Sequence, residues 1–68
     1  MMETTFFVKE AISEQPIMDI EQILFKMNGV ERVLVDTTDG EVKVEFDNKK
    51  ISRERIVITL QQHNFYIQ

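Results

Sequence analysis

The side chains in this sequence that can hold an ion are mostly hard oxygen donors. Glu10, Glu14, Gln15 and Asp19 lie close together along the chain, with the thioether of Met18 among them. Carboxylates and an amide suit a hard cation such as Mg or Ca, yet their spacing matches no known ligand loop. A soft ion selects thiolates, and the chain has no cysteine. Met18 alone reads as surface or packing. His63 is the only histidine. It reads either as an imidazole ligand or pH-sensitive contact, or as a residue closing a helix whose charged form favours the dipole. One imidazole without thiolates makes a weak transition-metal site, so the second reading is preferred. The acidic group reads as the solvated start of a helix. No metal and no cofactor are expected.

Motifs for catalysis are missing. Gly29 and Gly40 are the only glycines, so there is no glycine-rich phosphate loop. Ser13 and Ser52 have no recognisable base arrangement, and there is no thiol nucleophile. The chain is expected not to be an enzyme. Its net charge of −4 counts against nucleic-acid binding, which needs a basic face to displace counterions. The opening Met-Met-Glu-Thr-Thr lacks a basic stretch ahead of an apolar run, which predicts no secretory leader. The apolar runs are far shorter than a bilayer span, so no membrane insertion is expected and the expected location is cytoplasmic.

Elements must then be found to carry these residues. At 68 residues the chain is expected to form one domain, residues 1–68 with a core over about 4–67. A domain this small buries only about 60% of its unfolded surface and is marginal alone. Thr4 to Lys9 reads as a strand, rich in β-branched and aromatic residues. A polar linker, Glu10 to Pro16, follows. Ile17, Ile20, Ile23, Leu24 and Met27 follow helical spacing. Pro16 sits where a first-turn proline is tolerated, and Ser13, Glu14 and Asp19 can cap or favour that end. Asn28-Gly29 stops the helix. Val30 to Asp36 places Val33 and Val35 on one face, and Arg32 and Leu34 on the other. Thr37-Thr38-Asp39-Gly40 is a hairpin turn. Glu41 to Asp47 alternates strictly, with Val42, Val44 and Phe46 inward. Ser52 opens a second helix with Ile56, Val57 and Leu60 toward the core, Asn64 closes it, and Phe65-Tyr66-Ile67 is a last short strand. The order predicts an α+β, ferredoxin-like βαββαβ sandwich. Its four-stranded antiparallel sheet carries both helices on one face, with the first and third strands central.

On these residues the chain resembles the heavy-metal-associated (HMA), copper-chaperone-like family from Phe6 to Ile67. Asn28-Gly29-Val30 looks like the family's Pro-Gly-Val. Val33 to Asp36 and Gly40 to Asp47 look like its second and third strands. Ile51, Ser52, Ile56, Val57 and Leu60 match its second helix, and Asn64-Phe65 falls where the family has Gly followed by Tyr or Phe. The resemblance implies a metal loop with a Cys-x-x-Cys motif. Counting back from Gly29-Val30, that loop is Ser13-Glu14-Gln15-Pro16, with serine and proline where the family has cysteines. Ala11 replaces the methionine packed under the loop, and Glu10 the glycine before it. Family members bind Cu(I), or sometimes Zn(II), through the two thiolates. A hydroxyl protonated at neutral pH and a proline offer no such grip, so the loop is a degenerate metal site.

Acylphosphatases share the strand order but need an arginine in the loop after the first strand, and this loop is acidic. RNA-recognition modules stack bases on outward aromatics. Phe7 could serve, but the third strand presents Lys43 and Glu45. Large apolar residues are expected outside the core: Phe7, Leu34 and Tyr66 on the open sheet face, with Phe7 and Tyr66 as a cross-strand aromatic pair, and Phe25 and Ile58 on the outer side of the helices. A contiguous patch of them would mark an interface. The reading is a non-catalytic interaction or regulatory module, linked by resemblance to heavy-metal transport. Its expected partner is a metal-transporter domain or a second copy of the chain as a homodimer, since family members dock on transporter domains. Two rivals are an ACT-like small-ligand sensor, which shares the strand order, and metal binding or chaperone activity through the carboxylates, Met18 or His63.

Overall fold

The structure is a computed structural model that describes residues 1–68. Its elements run β1 (Met2–Phe7), α1 (Glu14–Phe25), β2 (Val30–Asp36), β3 (Glu41–Phe46) and α2 (Arg53–Gln62). The strict alternation of β3 makes it the middle strand, in the order β1-β3-β2, antiparallel to both neighbours. Val42 faces Phe6 on one side and Val35 on the other, and Val44 faces Thr4 and Val33. Because the side-chain period is two, this register turns Phe6, Val33, Val35, Val42, Val44 and Phe46 to one face and leaves Phe7 and Leu34 on the other. The helices cover that face with Ile20, Leu24, Ile56 and Leu60, all fully buried. Each such side chain stabilises the fold by roughly 1.5–3 kcal/mol. Val8 and Ala11 complete a single apolar cluster with these residues, Phe6, Val33 and the inward side chains of β3.

The helix ends differ from the sequence reading. α1 starts at Glu14, inside the stretch read as the polar linker Glu10 to Pro16, so Pro16 is its third residue rather than its opening one. That position lies in the first turn, where a backbone N–H has no partner inside the helix, and proline costs no bond there. α1 also ends at Phe25, with Lys26 as C-cap. Gly29 is therefore not the residue that stops it. With φ of +107°, Gly29 instead turns the chain into β2, and its carbonyl accepts from the Asp47 N–H at 2.8 Å. Asn64 does close α2, in the left-handed region at φ +68°, and Ser52 caps it by accepting from the Arg55 N–H at 3.1 Å. Val57 is half-buried at the margin of the core rather than in it.

The expected four-stranded sheet has three strands. Strand β1 runs from Met2 to Phe7, not from Thr4 to Lys9, because its pairing with β3 extends back to Met2↔Phe46. The last segment reaches β1 only through an isolated antiparallel bridge, Val8↔Ile67. Two backbone bonds flank it, Lys9 N–H to the Tyr66 carbonyl (2.9 Å) and Gln68 N–H to the Phe7 carbonyl (2.8 Å). No ladder forms because the preceding donors are spent elsewhere. The Phe65 N–H bonds the Leu60 carbonyl at 3.1 Å, and the Tyr66 N–H bonds a carboxylate of the loop at 2.9 Å. Of the two strands expected to be central, β3 is so placed, while β1 has only this bridge on its outer side.

Candidate functional site

The loop between β1 and α1 is built over Ala11. That residue is fully buried, and its N–H turns back to the Val8 carbonyl at 3.0 Å. The small side chain lets the loop settle directly onto the core. Ile12 then points outward, 61% exposed. Ser13 is the N-cap of α1 in extended backbone, yet its hydroxyl makes no capping bond. Glu14 and Gln15 are exposed in the first helical turn and Pro16 is half-buried. Ser13, Glu14, Gln15 and Pro16 thus occupy the exposed entry to α1, where the positive end of the helix favours negative charge.

Two of the carboxylates at this end take part in the structure. The Glu10 carboxylate (Oε1) accepts the Tyr66 N–H at 2.9 Å and ties the loop to the last segment. Gln15 Nε2 donates to Asp19 Oδ1 at 2.9 Å, one turn along α1. No group of three or more histidine, cysteine, aspartate or glutamate side chains is placed to hold a metal ion. His63 is the C-cap of α2. It lines a groove between the helices with Asp19, Gln22, Ile23, Lys26, Thr59 and Phe65. Met18 lies on the other flank of α1, in a shallow hollow with Glu21, Gln22, Phe25 and Lys26. The two weakest ligand candidates are therefore not brought together.

The outward apolar residues are all exposed, from 40% at Phe7 to 62% at Tyr66, with Leu34, Ile58 and Phe25 between. On the sheet they do not merge into one patch. Phe7 sits opposite Glu41 and Leu34 opposite Lys43, so charged side chains of β3 separate them. The expected pairing of Phe7 with Tyr66 is corrected as well. The residue beside Tyr66 is Lys9, bonded to it through the backbone at 2.9 Å, with Lys9 Nζ over the ring at 5.8 Å from its centre. That is cation–π distance. The Val8↔Ile67 bridge sets this register. Sequence reasoning missed the Glu10–Tyr66 tie, and no local signal announces a bond between residues so far apart.

The chain has the fold of copper metallochaperones and heavy-metal-associated domains. It superposes on the CopZ metallochaperone with a TM-score of 0.91 at 16% identity, covering 98% of this chain and 100% of that one. Apo-CopP from Helicobacter pylori gives 0.87 at 24% identity, covering 98% and 100%. A copper binding domain from HMA7, a P-type ATPase, gives 0.84 at 20% identity, covering 100% and 92%. At such identities the likeness establishes the fold, and it bears out the resemblance drawn from Gly29-Val30 and the hairpin. No family model matches the sequence, and no curated protein does.

Proposed function

We propose that this chain is a non-catalytic interaction module on a copper-chaperone scaffold, acting without thiolate metal transfer. One observation carries the reading: the two helices and three paired strands of the scaffold are present, while the loop that faces solvent at the start of α1 has a serine and a proline where a soft ion needs sulfur. Passing Cu(I) between proteins by ligand exchange needs thiolates on both sides. Of the carboxylates near the loop, Glu10 and Asp19 each accept one hydrogen bond and Glu14 is exposed on the first turn of α1; none supplies sulfur. What remains is a small domain with charged and apolar side chains on display. Its partner is a domain of a metal-transport protein or a second copy of itself. No helix is long and apolar enough to cross a membrane.

The test is a Cu(I) titration of the chain against a competing chromogenic chelator. The expected result is that the chelator keeps the metal throughout. Tight one-to-one retention by the protein overturns the reading. Titration with Zn(II) and Cu(II), followed through the amide signals of Glu14, Met18 and His63, is expected to leave them in place.

A further inference from the structure

From the free edge of β2 we infer that the partner is a second copy of this chain, joined through antiparallel β2–β2 pairing about a twofold axis at Leu34. The inference deepens the interaction-module reading and rests on it. Strand β2 ends the sheet order, and nothing pairs with its far side. The alternation of the pleat shows which backbone groups are left over. The Gly40 carbonyl accepts from the Val8 N–H at 2.9 Å and so faces β1. The Glu41 carbonyl therefore faces β2, while its N–H is taken by Asp39 Oδ1 at 3.1 Å; the Asp36 carbonyl takes the Gly40 N–H of the turn at 3.0 Å, and by the same alternation Leu34, two residues back, turns its groups to β3. Val33 and Val35 turn their N–H and C=O groups to the open edge.

Two such edges can exchange bonds only in registers that oppose residues of this second kind. Pairing about Leu34 does so, placing Val33 of each copy opposite Val35 of the other. On the outer face the same register sets Leu34 against Leu34 and Arg32 against Asp36, twice by symmetry. Charges on an edge strand commonly guard it against pairing. Here the opposite signs lie on either side of Leu34, so a twofold axis turns the guard into two cross-strand ion pairs. Pairing centred on Val33 or Val35 loses that match.

A second observation comes from α1. Asp19 and Ile23 face the groove toward α2, while Gln22 and Lys26 border both that groove and the hollow of Met18 and Phe25. Met18 and Phe25 occupy the other flank, two turns apart on one stripe and largely exposed. α1 packs against β2, so the side of α1 turned from α2 borders the β2 edge, with Met18 and Phe25 at its outer margin. Joining the edges brings the two flanks together on one side of a continuous six-stranded sheet, made from three strands of each copy, and covers apolar area that otherwise meets water. Glu21 of the two copies approaches the axis too, and because that side chain is half-buried salt screens the repulsion only in part, so it counts against the tightness of the pairing.

The experiment uses the full chain, in sedimentation equilibrium over a dilution series and in amide hydrogen exchange. The expected result is a dimer in which the Val33 and Val35 amides are protected, with protection fading on dilution. Arg32→Asp opposes two carboxylates at each symmetric pair and is expected to weaken the dimer about tenfold or more. Adding Asp36→Arg to it restores the dimer. Circular dichroism of both variants separates lost pairing from lost folding. A chain that stays monomeric at millimolar concentration overturns the inference, as does a dimer whose Val33 and Val35 amides exchange freely, or one indifferent to Arg32→Asp. None of these outcomes touches the module reading, which stands or falls on Cu(I) retention.

Discussion

Putting sulfur back is the sharpest way to ask whether the loop is all that this scaffold lacks. The perturbation is Ser13→Cys combined with Pro16→Cys. The structure predicts a small cost in stability. The Ser13 hydroxyl makes no capping bond, so its loss removes nothing that holds the helix. Pro16 is the third residue of α1, where a restored N–H needs no partner inside the helix. Losing the proline loosens the unfolded chain and costs about 0.4–1 kcal/mol. For a domain of this length that is a melting-temperature fall of roughly 4–8 °C per kcal/mol, leaving a folded protein to assay. The gain in metal binding is far larger. The two thiols stand at the exposed positive end of a helix, which favours the thiolate, at the spacing that fits a soft two-coordinate ion. Retention of Cu(I) against a competing chelator is expected to rise by at least about three powers of ten, roughly 4 kcal/mol. Each single substitution supplies one sulfur and is expected to stay near the natural chain. If the double variant folds but holds Cu(I) no better than the natural chain, the placement of the loop is wrong.

The remaining predictions concern stability. Gly40→Ala forces an alanine to φ +76° and sets its Cβ 2.5 Å from the Val8 carbonyl oxygen. The left-handed backbone alone costs about 1–2 kcal/mol, so a thermal melt is expected to fall by roughly 10 °C or more, and a fall of only a degree or two contradicts the turn geometry. Ser52→Ala is expected to cost about 1 kcal/mol in urea unfolding, because its hydroxyl caps α2. Ser13→Ala is expected to cost almost nothing, and equal losses would refute the difference between the two caps. Glu10→Ala frees the Tyr66 N–H and is expected to speed exchange of that amide about tenfold, with the rest of the exchange pattern unchanged.

Where the sequence carried a periodic signal, the structure followed it. The alternation of Glu41 to Phe46 and the helical spacing of Ile20, Leu24, Ile56 and Leu60 name the buried faces outright, because burial selects side chains by period. Ser52 and Asn64 mark the ends of α2 through chemistry that acts within a turn. The first helix was harder to bound. Its start lies among polar residues, where the apolar period is silent, and Pro16 is compatible with any position in the first turn. The last strand failed for a different reason. Phe65-Tyr66-Ile67 has strand composition, but the Tyr66 N–H is claimed by Glu10 on a loop far away in the chain.

The sequence by itself determined the layered α+β scaffold, the turn at Gly40 and the absence of sulfur from the loop, since residue type and local period settle all three. Only the tertiary structure decided which carboxylates near the loop accept hydrogen bonds, that Met18 and His63 line separate hollows, that Lys9 rather than Phe7 meets Tyr66, and that β2 is left with an open edge. Those facts depend on which distant segments meet, and long-range contact is set by how the faces pack, which no local pattern records.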